Sequence, residues 1–309
     1  MKYLFILLSL AFTNNFLQAQ TEQSFPEKDL EILQKYEDTL GLMAHLIVND
    51  SLEENRFAAT KKMIKTLVSA LKIENSYHYP FEQVKTISIQ YPADSTFRIF
   101  TWQLYVNKDE YRYYGAIQMN EKDLKLFPLI DRSNNMQNIE YQELTHENWY
   151  GALYYNMKEF DTPQGKKYLL FGYDAYSFYE RRKLIDVVSF DTGKPVFGAP
   201  VIAKPNQTGA MERQNRFALT YSAEASIGCN YDEGEGKIVY NHLTKGASPF
   251  EGRPTMIPSG SYDGFVLKDG MWIYEEELFH FITPEGEYPR PEPVLDAKPG
   301  GKRKNIFGQ

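Results

Sequence analysis

The spacing of apolar residues changes once along the chain, near Tyr79-Pro80, and this change limits the possible folds more than any other feature. From Pro26 to about Asn75 apolar side chains recur every three or four residues, which predicts amphipathic helices. From Pro80 to about Glu277 apolar and polar residues alternate, and β-branched and aromatic residues are frequent, which is typical of strands. The sequence therefore predicts a mainly β protein of the α+β class.

Residues 20–79 are expected to form an antiparallel helical hairpin. The link Asn49-Asp50-Ser51 offers capping side chains, and Glu54 lies three residues after Ser51, as in a capping box. A hairpin of this kind needs an apolar surface to pack on, and we expect it to pack on the β segment that follows.

Residues 80–282 are expected to form an antiparallel β domain. No helix of useful length separates its predicted strands, which argues against crossover connections and a parallel sheet. Turn sequences such as Asp191-Thr192-Gly193 and Asp269-Gly270 favour tight connections. We expect a large meander or barrel-like sheet. A propeller-like arrangement is the alternative, although no repeated propeller motif is present.

Both ends of the chain are predicted to lie outside this fold. Residues 1–19 have the order of an export signal, with Lys2, an apolar run and a small residue, Ala19, at the expected cleavage point. The apolar run is too short to span a bilayer, which argues against an uncleaved anchor and leaves no transmembrane segment in the mature chain. Residues 283–309 are rich in proline and glycine, which predicts a flexible tail. We expect an exported, soluble protein that is periplasmic, outer-surface or secreted.

Charge and cysteine content exclude several classes of function. The chain has 34 basic and 41 acidic side chains and a net charge of −7, so it lacks the basic footprint that nucleic-acid binding needs. Cys229 is the single cysteine, which excludes an internal disulfide and a cysteine zinc cluster, and its apolar surroundings predict an inert buried thiol. Hydrophobic residues make up 42% of the chain, enough for a core.

The segment 216–230 supplies one set of candidate site residues. As a single strand it would place Ser222, Glu224 and Ser226 on one face, with short polar side chains around one carboxylate. Such a face suits the floor of a groove, so Ser222 and Ser226 are candidate ligand-binding residues and Glu224 is a candidate catalytic acid or base. The alternative is an ordinary solvent-facing sheet surface.

Glycan hydrolysis would require a second carboxylate near Glu224. Asp186 and Asp263 are the further catalytic candidates, and Asp174 also lies in or beside a predicted strand. Asp186 interrupts an apolar row that includes Leu184, so we expect it to face the same side. Its alternative role is a buried ion pair with Arg181 or Arg182.

Aromatic residues provide a different kind of candidate site. Trp102 and Trp149 are candidate ligand-binding residues, because aromatic rings can stack on sugars. The accompanying tyrosines are Tyr113, Tyr114, Tyr150, Tyr154, Tyr155, Tyr168 and Tyr173. The alternative is core packing, which is common for aromatic residues at strand positions.

Known motifs predict no cofactor and no metal site. The five histidines are scattered without an HExxH or HxH pair, and the acidic turn 232–236 lacks the ligand pattern of a calcium loop. The chain contains no GxSxG elbow and no phosphate-binding GxxxxGK[ST] sequence.

Two short motifs carry a resemblance to other proteins. Residues 221–232 (YSAEAS through NYD) and 259–265 (SGSYDGF), together with the signal and the tail, look similar to uncharacterised exported proteins of Bacteroidota. The resemblance implies export and brings no activity, cofactor or catalytic residue. The sequence thus predicts a non-catalytic protein that binds a ligand or an envelope partner, with a carboxylate-dependent hydrolase acting on a glycan as the alternative.

Overall fold

The computed structural model describes residues 25–206, 208–247 and 254–279. The chain begins there with two helices, α1 (Glu27–Asn49) and α2 (Glu53–Leu71), and continues mainly as strands, with three short 3-10 helices at Ser76–His78, Ser133–Asn135 and Ile139–Tyr141. The predicted mainly β, α+β class is confirmed. The predicted export signal and the predicted tail lie outside the described residues.

The strands form three sheets. The first sheet has the order β1 (Ser88–Gln90), β2 (Phe97–Asn107), β3 (Glu110–Met119) and β4 (Leu126–Ile130). The second has the order β5 (Leu144–Thr145), β9 (Val196–Phe197), β8 (Glu180–Ser189), β7 (Gly165–Asp174) and β6 (Leu153–Thr162), and β12 (Phe217–Ser222) also pairs with β8. The third has the order β11 (Met211–Gln214), β10 (Ile202–Pro205), β16 (Met271–Glu275), β15 (Pro254–Lys268), β14 (Lys237–Ala247) and β13 (Cys229–Asp232).

The helices and the three sheets are layered, with an apolar core between each pair of neighbouring layers. Alternation along β2 directs Phe100 toward the helices and Ile99 toward the second sheet. Alternation along β7 directs Leu170 toward the first sheet and Leu169 toward the third. The second sheet is therefore covered on both faces, and the described part of the chain contains three cores.

This layering corrects the predicted single meander or barrel-like sheet and its propeller-like alternative. Within the described residues none of the three sheets closes on itself. The sheets stack because β7 and β8 are buried on both faces, as shown by runs of consecutive buried residues such as 168–171 and 184–189. Strands buried on both faces need a covering layer on each side, which stacked sheets provide. One parallel pair, β10 with β16, adds a second departure from the antiparallel prediction.

The helical hairpin is present, but its predicted capping box is not. Helix α2 begins after Leu52 without a side-chain cap, and Asp50 Oδ1 accepts the N–H of Leu52 at 2.9 Å. Buried Arg56 then fixes this link to the first sheet, because its guanidinium donates to the carbonyl oxygens of Asp50 (2.9 Å) and of Tyr105 in β2 (2.9 Å).

No helix among the described residues is both long and apolar enough to cross a membrane.

Candidate functional site

A polar cleft of about 680 Å³ lies at one end of the first and second sheets. Three segments that are far apart in sequence line it: the tip of the β2–β3 hairpin from Asp109, the stretch 133–140, and the β7–β8 connection from Asp174 to Arg182. We call it the Asp174 cleft. Loops on a rigid β scaffold are common places for binding residues.

Asp174 ends β7 and is only 5% exposed. Its Oδ1 accepts hydrogen bonds from the Tyr113 hydroxyl (3.0 Å) and the Tyr176 N–H (2.9 Å), and its Oδ2 accepts one from the Tyr150 hydroxyl (2.5 Å). Burial raises the pKa of Asp174 above its usual range, although these three hydrogen bonds favour the charged carboxylate. The result is a fixed acidic group in the wall of a polar cleft.

Arg182 is the cation of the cleft. Its Nη1 donates to the Tyr150 hydroxyl at 2.6 Å and its Nε donates to Thr220 Oγ1 at 3.1 Å. The guanidinium carbon lies 3.8 Å from the centre of the Tyr176 ring, a close cation–π contact. A chain of contacts thus runs from Tyr176 through Arg182 and Tyr150 to Asp174, and it holds the polar groups of the wall in place.

The β7–β8 loop, residues 175–179, is held in a strained conformation. Tyr176 has a φ of 45°, which is uncommon for a residue with a side chain. Asp174 bonds its N–H, and Arg181 Nη1 donates to the carbonyl oxygens of Ala175, Ser177 and Glu180. Strain that the surrounding structure maintains is common at functional sites.

The same loop displays three exposed aromatic rings, of which Tyr176 lines the cleft. Tyr176, Phe178 and Tyr179 are 45%, 38% and 39% exposed. The Lys108 ammonium lies 5.5 Å from the centre of the Phe178 ring and so connects the β2–β3 hairpin with this loop. Exposed rings next to polar groups offer a ligand both stacking and hydrogen bonding.

Carboxylates dominate the charge of the cleft. Arg182 is the basic residue in its wall, against four acids, which are Asp109, Glu140, Asp174 and Glu180. The excess of carboxylates would repel a ligand with a strong negative charge, so the charge of the cleft favours neutral or cationic ligands.

The structure does not place Ser222, Glu224 and Ser226 on one strand face. β12 ends at Ser222, whose pairing partner Glu180 is the first residue of β8, and beyond it the chain turns at residues 223–224 toward the third sheet. Ser222 is buried, whereas Glu224 and Ser226 are exposed outside any strand. The predicted continuous strand is therefore wrong, because β8 offers no partner for its second half.

Asp186 faces the core, on the same side as Leu184, and is 1% exposed. Its Oδ1 lies 3.0 Å from Nη2 of fully buried Arg216, and its Oδ2 accepts the Tyr154 hydroxyl at 3.1 Å. The alternative prediction that Asp186 forms a buried ion pair is confirmed, but its partner is Arg216 rather than the predicted Arg181 or Arg182.

The two tryptophans that were candidates for ligand binding lie in cores. Trp149 is fully buried and donates from Nε1 to the Tyr154 hydroxyl at 3.0 Å, and Trp102 is 4% exposed and stacks on Tyr114. Neither ring offers a free face to a ligand, so we place no ligand on them.

Asp263 lies in the third sheet and does not line the Asp174 cleft. It is 4% exposed, and His242, Tyr274 and the N–H of Glu277 all bond its carboxylate.

Arg182 and Tyr176 were not predicted as site residues. Residues 175–179 read AYSFY, so three of the five residues in a connection between strands are aromatic. Such a connection usually carries Gly, Asn, Asp or Pro, and their replacement by aromatic residues is the signal that indicates a binding loop here.

Within the described ranges no group of three or more His, Cys, Asp or Glu side chains is arranged to hold a metal ion. Comparisons of the chain with protein-family models, with curated proteins and with solved structures give no match. We therefore infer function from the geometry of the Asp174 cleft.

Proposed function

We propose that this protein is an exported binding protein that holds a neutral glycan in the Asp174 cleft without cleaving it. The observation that carries this proposal is a polar cleft of about 680 Å³ that is lined by the exposed Tyr176 ring on a fixed loop. Sugars have hydroxyl edges and apolar C–H faces. The carboxylates and Arg182 suit the edges, and the Tyr176 ring suits the faces.

The fixed loop also favours binding energetically. A ligand that must order a mobile loop loses affinity to that ordering, whereas a loop already held by Asp174 and Arg181 costs less. The hydrogen bonds that hold the loop lie within the protein, so the loop needs no ligand to keep its conformation.

Calorimetric titration with neutral oligosaccharides tests this proposal. Maltotriose, cellotriose and chitotriose serve as probes, and at least one is expected to bind. Tyr176→Ala should weaken that binding about tenfold, the equivalent of one lost stacking contact. Tyr262→Ala removes a ring of similar exposure from the third sheet and should leave the affinity unchanged. Absence of binding for all three probes, or an equal effect of the two variants, would contradict the proposal.

A carboxylate-dependent hydrolase acting on a glycan is the second candidate function. The raised pKa of Asp174 favours it, because a general acid needs a proton near neutral pH. Glu180 in the same wall would be the second carboxylate. The hydroxyls that donate to both oxygens of Asp174 argue against a proton there, which ranks this function second. Chromatography of the three probes after incubation tests it, since shorter products that Asp174→Asn abolishes would favour the hydrolase.

Export is part of the same proposal and is supported by the order of residues 1–19. The protein recovered from the producing cell should lack these residues and begin at Gln20. Intact-mass measurement of periplasmic, surface and secreted fractions checks this, and a protein that retains Met1 in every fraction would contradict cleavage after Ala19.

A further inference from the structure

A second cavity, of about 590 Å³, lies next to the Asp174 cleft. Glu140 lines both cavities, so the 3-10 helix Ile139–Tyr141 stands between them. Tyr141 lines the second cavity and is 49% exposed, and we call this space the Tyr141 cavity. An exposed ring beside polar groups repeats the combination that Tyr176 provides in the Asp174 cleft.

Strand β12 connects the two cavities along one of its faces. Ala218 lines the Tyr141 cavity. Thr220, two residues further along β12, accepts a hydrogen bond at 3.1 Å from Nε of Arg182, which lies in the wall of the Asp174 cleft. Residues two apart in a strand point to the same face and lie about 7 Å from each other. The two cavities are therefore close enough for one chain of sugar units to enter both.

Arg216 holds the 3-10 helix between the two cavities in place. Its Nη1 donates to the carbonyl oxygens of Ile139 at 2.6 Å and of Gln142 at 3.3 Å. Arg216 is itself fully buried and paired with Asp186. The backbone that carries Tyr141 is thus anchored to the core before a ligand binds, which lowers the entropy that binding would cost.

Lys204 supplies a hydrogen-bond donor to the Tyr141 cavity. Its ammonium lies 4.8 Å from the centre of the Phe217 ring, which lines the same cavity, and 5.1 Å from the centre of the Tyr274 ring. No residue in the described part of the chain forms a hydrogen bond or an ion pair with this ammonium, and burial lowers the pKa of Lys204. An ammonium can donate three hydrogen bonds, so Lys204 can donate to hydroxyl oxygens of a ligand.

We propose that the Asp174 cleft and the Tyr141 cavity are two parts of one groove, and that the ligand is an oligosaccharide long enough to occupy both. This inference rests on the proposed glycan-binding function and adds the length of the ligand to it. One end of the oligosaccharide lies against Tyr176 in the Asp174 cleft, and its middle crosses Glu140. The other end stacks on Tyr141 and accepts a hydrogen bond from Lys204.

Calorimetric titration of the full chain with oligosaccharides of two lengths tests the proposal. The probes are maltotriose, cellotriose and chitotriose, together with the hexasaccharide of each series. A hexasaccharide contains about four overlapping trisaccharide units, which by itself raises its affinity for a single trisaccharide site about fourfold. Occupation of both cavities should raise the affinity at least about 30-fold over the trisaccharide of the same series, because a second stacking contact and a further hydrogen bond are formed.

Two variants separate the contribution of the Tyr141 cavity from that of the Asp174 cleft. Tyr141→Ala should weaken hexasaccharide binding about tenfold and leave trisaccharide binding unchanged. Lys204→Met keeps a side chain of similar length without the donor and should also weaken only hexasaccharide binding. Tyr262→Ala is the matched control, because this ring is 40% exposed and lines neither cavity, so neither affinity should change. All three positions are partly or fully exposed, so the variants should fold, and circular dichroism verifies this.

The outcomes distinguish a failure of the extended groove from a failure of glycan binding. A hexasaccharide gain that does not exceed about fourfold, or any gain that Tyr141→Ala leaves intact, would overturn the extended groove while the glycan-binding function stands. An equal loss for both lengths in Tyr141→Ala would also overturn it, because the trisaccharide would then lie in the Tyr141 cavity itself. If no trisaccharide binds the native protein, both the function and this inference are wrong.

Discussion

At the scale of single residues, the groups that contact a buried carboxylate distinguish an acid in a core from an acid in a cleft wall. Asp186 and Asp174 are both almost fully buried, but Asp186 is neutralised by Arg216 inside a core, whereas Asp174 lines a cleft and is bonded by hydroxyl and amide groups. The sequence placed Asp186 on the correct side of its strand. It could not identify Arg216 as the partner, because Arg216 lies on a different strand connection thirty residues later.

Removal of the Asp186 carboxylate should destabilise the protein strongly. Asp186→Ala leaves the Arg216 guanidinium buried without its counter-charge, and the loss of one member of such a pair costs about 3–5 kcal/mol. Urea unfolding measures the change. Lys237→Ala is the control, because it breaks a more exposed ion pair with Glu275 and should cost at most about 1 kcal/mol. Similar losses in the two variants would contradict the structural role of Asp186.

The raised pKa of Asp174 predicts a pH dependence of stability. The folded protein holds this proton more tightly than the unfolded chain does. The stability that the group contributes is complete below its unfolded pKa, about 4, and is lost as the pH rises through the raised folded pKa. Asp174→Asn lacks this titration, so its unfolding free energy should improve relative to the native protein as the pH rises above about 4. Urea unfolding at stepwise pH values checks this, and a difference that stays constant or changes in the opposite direction would refute it.

At the scale of elements, tight turns were readable from the sequence and the ends of strands were not. Asp269-Gly270 joins β15 to β16 with positive φ at both residues, as the turn sequence predicts. The prediction failed over residues 223–228, because a strand continues only while a neighbour is available to pair with it. The sequence of β12 carries no information about where β8 begins.

The β7–β8 loop should lose its fixed conformation when Arg181 is removed. In Arg181→Ala three carbonyl oxygens lose their shared donor, so amides of residues 175–180 should exchange with solvent faster. Glycan affinity should fall as well, because binding would then have to order the loop. Hydrogen exchange read by mass spectrometry, with exposed Arg213→Ala as the control, measures the first effect. Unchanged exchange in Arg181→Ala would show that strand pairing alone holds the loop.

At the scale of the whole molecule, the sequence predicted the class of fold but not its layering. Alternation shows that a strand has two faces and leaves open which element covers each of them. The consecutive apolar run at residues 168–171 in β7 is the local sign of a strand covered on both sides. The Asp174 cleft could not be predicted from the sequence either, because its walls come from three distant segments that only the stacked sheets bring together.

The three tryptophans allow the layering to be tested in one experiment. Trp102 lies in the core between the helices and the first sheet, Trp149 in the core between the first and second sheets, and Trp272 in the core between the second and third. Because each of the first two sheets contributes to two cores, unfolding of one core exposes apolar surface of the next. Protein labelled with 5-fluorotryptophan should therefore lose its three native ¹⁹F resonances at the same urea concentration.

Truncation of a side chain in the shared second sheet should lower, by the same amount for all three resonances, the urea concentration at which they are lost. Leu169→Ala and Leu170→Ala each open a cavity, one in the core toward the third sheet and one in the core toward the first, and each should cost about 2–5 kcal/mol. Strand β14 has only one buried face. Ile238→Ala on that face should lower the free energy of unfolding by a similar amount, whereas Val239→Ala, at a partly exposed position, should lower it much less. The Trp102 resonance could instead disappear at a lower urea concentration than the other two, or at the same concentration in both leucine variants as in the native protein. Either result would mean that the helices and the first sheet unfold independently of the other two sheets.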